Sequence, residues 1–149
     1  MPLQPGEVLT RVRGPVITRE VIAEFAQASG DHNPIHLDRD AAVAAGHDDV
    51  IVHGMYVMAL VGNHLRRVVD PSLIRAFTVR FAAVTSVNSS LDVTITVADR
   101  SVGEPEDVVE LAVDATRDDG TRVVVGTARV AVPVGDGRSA NETALRGAR

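Results

Sequence analysis

Two short segments of the sequence hold residues whose types and spacing could do acid–base chemistry on a bound molecule. The first is "ASGDHNPIHLD", residues 28–38, which contains Asp31 and His36. A carboxylate and an imidazole that face one small volume can hold a water molecule and exchange its proton, and each such group typically contributes about 10²–10⁴-fold in rate. Taken singly, an aspartate here would be a turn residue and a histidine a solvated one. Together, Asp31 and His36 are candidate catalytic residues.

The residues around this pair control the shape of the loop. Gly30 allows the chain to turn left-handed after a helix, and Pro34 forces Asn33 into an extended conformation. Residues 31–36 are therefore not expected to be helical. Ile35 is the only apolar residue among them, which predicts that it points into the core and lets the acid–base pair converge on its other side.

A metal site is a weaker interpretation of the same histidines. His32 and His36 have the spacing that places two ligands on one face of a helix, but Pro34 lies between them and no third ligand is evident. The sequence predicts no metal here.

The second segment is "IVHGMYVMAL", residues 51–60, in which His53 and Gly54 directly precede an apolar helix. A helix N-terminus presents unpaired backbone N–H groups and a partial positive charge, and a glycine lets a ligand approach the backbone closely. A carbonyl or anionic oxygen would fit there. Because removal of one oxyanion donor in a protease costs about 10²–10³-fold in rate, Gly54 is the third candidate catalytic residue.

The elements that must position these residues begin with helices. "TREVIAEFAQASG" predicts an amphipathic helix with Thr18 as its N-cap and Gly30 at its end, and "DRDAAVAAG" predicts one or two further turns. From Gly54, "GMYVMALVGNHLRRVV" is apolar on nearly every side until Asp70-Pro71 ends it. A helix without a polar face is expected to be enclosed by other elements.

Strand patterns fill the second half of the chain. Four segments alternate apolar and polar residues and are rich in β-branched types: "IRAFTVRFAAV", "SLDVTITVADR", "DVVELAVDATR" and "TRVVVGTARVAV". Asp118-Asp119-Gly120 predicts a hairpin between the last two, and a fifth strand is expected around Glu7 to Val12. The pattern predicts an α+β domain over residues 1–133, a curled antiparallel sheet of about five strands around a long central helix. The small polar tail, residues 134–149, is expected to be disordered.

Composition excludes several function classes. All 15 basic residues are Arg, so Schiff-base chemistry and a Walker-type phosphate loop have no Lys, and the absence of Cys removes thiol nucleophiles and disulfides. The net charge of −5 with scattered Arg and no Trp argues against nucleic acid as a partner. No apolar run approaches the roughly 20 residues of a membrane span, and the start "MPLQPGEVLT" lacks a signal-peptide pattern. We expect a cytoplasmic protein that binds neither nucleic acid nor membrane.

The strings "SGDHNPIH" and "IVHGM" resemble the MaoC-like, (R)-specific enoyl hydratase group of the hot-dog fold, and especially the short mycobacterial β-hydroxyacyl carrier-protein dehydratase subunits. The resemblance covers about residues 7–133. It implies that Asp31 and His36 position and activate the catalytic water and that the Gly54 N–H polarises a thioester carbonyl. One departure is "VRFAAVTSVNSSLDV", where many relatives have Pro-Val and then a Gly-Asp turn.

The resemblance also implies a reaction, which is the reversible hydration of trans-2-enoyl thioesters of coenzyme A or acyl carrier protein to (3R)-hydroxyacyl thioesters, with no metal or organic cofactor. Asn33, His53, Met55 and Tyr56 are the candidate substrate-binding residues. For Asn33 a bridge between backbone groups of the loop is an alternative, and for Tyr56 so is core packing.

Partnering and two other functions stay open. Longer relatives carry two hot-dog repeats in one chain, whereas this sequence shows no internal repeat, so a homodimer or a heterodimer with a homologous hot-dog subunit is expected. A non-catalytic or acyl-binding subunit is disfavoured because it would not need Asp31, His36 and Gly54 together. An acyl thioesterase is disfavoured because hot-dog thioesterases generally place a carboxylate on the central helix, and "MYVMALVGNHL" has none.

Overall fold

A computed structural model describes residues 3–103 and 105–134 of the chain. The elements, in chain order, are β1 (Val8–Arg13), α1 (Arg19–Ser29), α2 (Pro34–Leu37), α3 (Arg39–Ala44), α4 (Gly54–Val68), a 3₁₀ turn (Pro71–Leu73), β2 (Ile74–Phe81), β3 (Leu91–Ser101), β4 (Glu106–Arg117) and β5 (Arg122–Pro133). The five predicted strands and the three predicted helical segments are therefore confirmed, and α2 is additional.

The strands form one antiparallel sheet in the order β1-β3-β4-β5-β2. The alternation along β3 and β4 sorts their side chains as predicted, because every second residue along the central part of each strand is apolar and buried: Leu91, Val93, Ile95, Val97, Val109, Leu111, Val113 and Ala115. The predicted hairpin joins β4 to β5, with Gly120 at φ 86° and the Gly120 N–H donating to the Arg117 carbonyl at 2.9 Å. The fold class is α+β, as expected.

Helix α4 packs one face against the buried face of the sheet. Val57, Val61 and Leu65 belong to the core that the strands share. Within the described residues the opposite face is exposed, and Met55 at its start is 62% exposed. The prediction that α4 is enclosed on every side is wrong for the part of the chain that the structure describes, because one sheet has only one inner face and covers only one side of a helix.

Helix α1 begins and ends where local chemistry predicted. The Thr18 hydroxyl accepts a hydrogen bond from the Val21 N–H at 3.3 Å, and Gly30 ends the helix in the left-handed conformation at φ 76°. Gly30 thereby delivers the chain into the loop that carries Asp31. The predicted tail lies, from residue 135 onward, outside the described residues. Among the helices of the described residues, none is long and apolar enough to cross a membrane.

Candidate active site

The loop after α1 turns helical sooner than its sequence predicted. Asn33 is extended at φ −56° and ψ 127°, as Pro34 requires, but α2 begins immediately at Pro34. Proline suits the first position of a helix because its missing N–H would have no helical partner there. The Asn33 side-chain oxygen caps the turn by accepting from the Ile35 N–H at 3.2 Å. Residues 34–36 are therefore helical, contrary to the prediction, and Asn33 bridges backbone groups of the loop.

The helical turn changes which residue faces inward. His36 is 7% exposed, whereas Ile35 is only half-buried. The His36 Nδ1–H donates to the Ile51 carbonyl at 2.7 Å, and the Ile51 N–H donates to the Ile35 carbonyl at 3.2 Å. The prediction that Ile35 anchors the loop is wrong because successive side chains of a helix point about 100° apart, and here His36 takes the inward direction.

Asp31 and His36 nevertheless meet. One carboxylate oxygen of Asp31 lies 3.9 Å from His36 Nε2, while the other accepts from the Asn33 N–H at 3.2 Å. A separation of 3.9 Å is too long for a direct hydrogen bond and suits two groups that share a bridging water. A carbonyl oxygen only accepts hydrogen bonds, so the bond to Ile51 places the proton of neutral His36 on Nδ1. The Nε2 lone pair is then the one that faces Asp31.

His53 lies behind this pair and not in front of it. Its ring is 1% exposed and stacks on the ring of His36, with centroids 3.8 Å apart and planes 25° from parallel. Its Nε2–H donates to the backbone carbonyl of Asp31 at 3.0 Å, and Phe25 packs against it edge-to-face at 4.9 Å. Within the described residues, its buried Nδ1 has no hydrogen-bond partner. Such burial does not support the substrate contact that the sequence suggested for His53.

Gly54 opens helix α4 with a free donor. Among the described residues, its N–H makes no hydrogen bond, and no side chain caps the helix. The ring of Phe81 covers the position a β-carbon would take, with Cζ 3.3 Å away. Gly54 is exposed, so an oxygen from outside could reach its N–H.

Phe81 is a residue of this site that sequence reasoning missed. It is 46% exposed at the end of β2, and with the exposed Met55 it gives the surroundings of Gly54 an apolar surface. Phe77, four residues earlier on the strand, contacts Gly62 in the same manner. Eight residues of helix rise about 12 Å and four residues of strand about 13 Å, so the matched glycine and phenylalanine spacings were the signal that could have revealed it.

Tyr56 belongs more to the core than to the open side of the site. It is half-buried, packs edge-to-face on Phe25 at 5.5 Å between ring centroids, and joins the core cluster. Burial raises the pKa of its hydroxyl. The packing alternative for Tyr56 therefore has direct support.

A metal does not fit this cluster well. Asp31, His36 and His53 each have a ligand-type atom within 4.8 Å of the others. The two imidazoles stack, however, so their lone pairs, which lie in the ring planes, run side by side and do not converge on one ion. One nitrogen of each ring is already engaged with a backbone carbonyl. The geometry therefore supports the expectation that no resident metal is held here, which stays a prediction.

The fold and the site together define a hot-dog protein with a carboxylate–imidazole pair beside the start of its long helix. A family model described as the MaoC like domain matches residues 2–118, and the chain belongs to this MaoC-like dehydratase family.

The chain spans less than half the length of the two relatives described next. The fatty acid synthase beta subunit TOXC of Cochliobolus carbonum is 34% identical over 110 residues, which cover 71% of this chain and 5% of that protein. The chain likewise matches only 42% of a UPF0336 protein of Clavibacter michiganensis, at 41% identity over 63 residues.

Solved structures agree with the fold. The unliganded R-hydratase PhaJ1 of Pseudomonas aeruginosa aligns with a TM-score of 0.74 and 27% identity, over 88% of this chain and 83% of that one. The HadBC (3R-hydroxyacyl-ACP dehydratase) complex of Mycobacterium tuberculosis aligns with a TM-score of 0.64 and 21% identity, over 85% of this chain and 96% of that one. The second likeness shows a shared fold alone.

Proposed function

We propose that this protein catalyses the reversible hydration of trans-2-enoyl thioesters to (3R)-hydroxyacyl thioesters. The observation that carries the proposal is the Asp31 carboxylate held 3.9 Å from His36 Nε2, in a chain that belongs to the MaoC-like dehydratase family. The free N–H of Gly54 supports it, because hydration of an enoyl thioester needs a donor for the thioester oxygen as well as a base for water.

The proposed mechanism uses one water between the two side chains. Asp31 is the main base, and the His36 Nε2 lone pair holds and exchanges the other water proton. The water oxygen bonds to the β-carbon and keeps its second proton as the new hydroxyl group. The electrons of the carbon–carbon double bond shift to the thioester oxygen, and the Gly54 N–H stabilises the resulting enolate. The proton taken from water then returns to the α-carbon from the same side. The net change is syn addition of one water, and dehydration is the reverse.

The acyl group has an apolar surface available beside Gly54. Met55 is 62% exposed and Phe81 is 46% exposed, although both are large and apolar. We assign the acyl contact to these two side chains, with Tyr56 forming the wall behind them. The reaction needs no metal or organic cofactor, because polarising the thioester oxygen is enough to make the β-carbon electrophilic.

A second hot-dog subunit is part of the proposal. Within residues 3–103 and 105–134, the outer strands β1 and β2 each pair along one edge only, and one face of α4 is exposed. The HadBC complex, which shares this fold, is a heteromeric assembly by its description. We propose that this chain works as a homodimer or with a homologous subunit, on thioesters of coenzyme A or acyl carrier protein.

The experiment measures how fast the absorbance of the conjugated enoyl thioester is lost when the protein is mixed with crotonyl-coenzyme A, a longer enoyl-coenzyme A or an enoyl thioester of acyl carrier protein. The Asp31→Asn variant should lose about 10²–10⁴-fold in turnover, because it keeps an oxygen for the Asn33 N–H but loses the base. Asp48→Asn is the matched control, since it makes the same change at an exposed position elsewhere and should behave as wild type.

Two results would contradict the proposal. Near-wild-type turnover by Asp31→Asn would remove the assigned base. Release of free thiol from a saturated acyl-coenzyme A, with no change in enoyl absorbance, would assign a thioesterase instead.

A further inference from the structure

We infer that His53 is a positioning residue, one that holds Asp31 and His36 in register for the water without touching substrate itself. The inference rests on the proposed function and deepens it. It begins from the burial of a polar ring that is 1% exposed and has one nitrogen, Nδ1, with no partner within the described residues. Burying an unpaired polar atom is unfavourable, so folding alone gives no reason for a histidine here.

The contacts of the ring supply a reason. Its Nε2–H holds the backbone carbonyl of Asp31 at 3.0 Å, and its face lies 3.8 Å from the ring of His36. Its own backbone directly precedes Gly54 at the start of helix α4. One side chain thus connects the loop that carries the carboxylate, the imidazole and the helix N-terminus, which are the three parts of the proposed mechanism.

The hydrogen bond also fixes the tautomer that a neutral His53 adopts. Because a carbonyl accepts the bond, the proton of neutral His53 sits on Nε2 and the bare lone pair is on the buried Nδ1. A neutral ring beside His36 adds no positive charge while the His36 Nε2 shares the water proton, whereas a cation 3.8 Å away would oppose the partial positive charge that this sharing places on His36.

A positioning role and a packing role predict different combinations of stability and turnover for the His53→Phe variant. Phenylalanine keeps a stacked aromatic ring, removes the unpaired nitrogen and removes the N–H that holds Asp31. If His53 serves only for packing, melting temperature and turnover should change in the same direction, both falling if phenylalanine fits poorly and both staying unchanged if it fits well. If it positions, the melting temperature should be equal or higher while kcat falls, because misplacement by about 1 Å can cost about 10²-fold.

The test compares His53→Phe with His53→Gln, which keeps an N–H donor but loses the stack, and with His47→Gln as a matched histidine control. His47 is half-buried and lies outside the proposed site. Melting temperature, oligomeric state, kcat and KM are measured on the full chain with an enoyl thioester. We expect His53→Phe to lower kcat about 10–10²-fold with KM nearly unchanged. His53→Gln should have an intermediate kcat and His47→Gln a wild-type one.

The overturning results are distinct from failure of the proposed function. A His53→Phe variant that keeps kcat within twofold, in an active wild-type background, overturns the inference about His53 alone. If His53→Phe does not fold, His53→Gln decides by the same criterion. A wild-type chain with no action on any enoyl thioester overturns the proposed function.

A spectroscopic measurement tests the role of His53 even if the wild-type chain acts on no enoyl thioester. In ¹⁵N-histidine spectra, His36 should show the neutral form protonated on Nδ1, and its ring signals should shift in His53→Phe but not in His47→Gln. Unchanged His36 signals in His53→Phe would show that His53 does not position its neighbour, whatever reaction the site performs.

Discussion

The sheet and the site region, residues 31–55, follow opposite rules of burial. On β3 and β4 every buried position of the alternation except Asp107 is apolar, and the polar side chains between them face outward. In the site region His36 and His53 are buried at 7% and 1%, while Leu37 and Met55 are 40% and 62% exposed. Folding explains the first pattern through removal of apolar surface from water, and it works against the second. The inversion marks the residues whose presence needs another explanation.

Buried polar groups in the two regions also differ in how they are paired. Asp107 on β4 is 4% exposed, yet one carboxylate oxygen binds Arg100 and the other accepts from the Gly103 N–H at 3.1 Å. In the site region His36 and His53 each satisfy one nitrogen with a backbone carbonyl and leave the other without a hydrogen bond from the described residues. A closed network serves stability, whereas an open one leaves atoms free for chemistry.

The largest effect expected in the sheet is on stability. Leu111 is fully buried on β4 between Val97 and Ala128, so Leu111→Ala should lower the free energy of unfolding by about 2–5 kcal/mol. Urea titration measures this, with Ala112→Ser on the outward side of the same strand as a control expected within about 0.5 kcal/mol of wild type. At a temperature where both variants are folded, kcat should be unchanged. A parallel fall in kcat would break the separation between sheet and site.

The next largest effect is expected for Gly54→Ala, which should lower turnover and leave stability unchanged. In Gly54→Ala the new β-carbon would lie 3.3 Å from the Phe81 ring, so ring and helix start must shift apart. We expect turnover to fall about 10–10²-fold with no drop in melting temperature, because the N–H survives but is displaced. A double-mutant cycle with Phe81→Leu checks the cause. If the smaller side chain restores no activity in the Gly54→Ala background, crowding by Phe81 is not the reason.

The smallest expected effect is the loss of stability in acid when Asp107, the ion-pair partner of Arg100, becomes protonated. The hydrogen bond from Arg100, helped by the Gly103 N–H, lowers the pKa of Asp107 below its ordinary value despite the opposing effect of burial. A lowered folded-state pKa means that the stabilisation is complete above the unfolded-state pKa of about 4 and is lost as pH falls through the folded value. Wild type should therefore melt a few degrees above Asp107→Asn at neutral pH, and the gap should close in strong acid. Calorimetry that finds a gap independent of pH would contradict this ion pair.

Patterns that act between neighbours in the chain were sufficient for much of this fold. The alternation on β3 and β4, the Thr18 cap, the Gly30 stop and the Asp-Asp-Gly hairpin each depend on a few adjacent residues, and each was predicted correctly. The prediction for the loop was wrong at one step. Pro34 ends the extended segment and also starts a helical turn, and that turn exchanges the directions of the Ile35 and His36 side chains. The error reversed which side chain is buried and left the meeting of Asp31 with His36 intact.

Residue types and local spacing thus determined which groups this protein brings to the candidate site, namely a carboxylate, an imidazole and a helix N-terminus. They also determined which strands and helices hold these groups. The tertiary structure decided how these parts face one another. His36 is oriented by a carbonyl 15 residues away, and Asp31 is held by a ring 22 residues away. Such contacts depend on how α1 packs against α2 and how α4 packs on the sheet, and no local pattern encodes a distance between segments that only the shared core brings together.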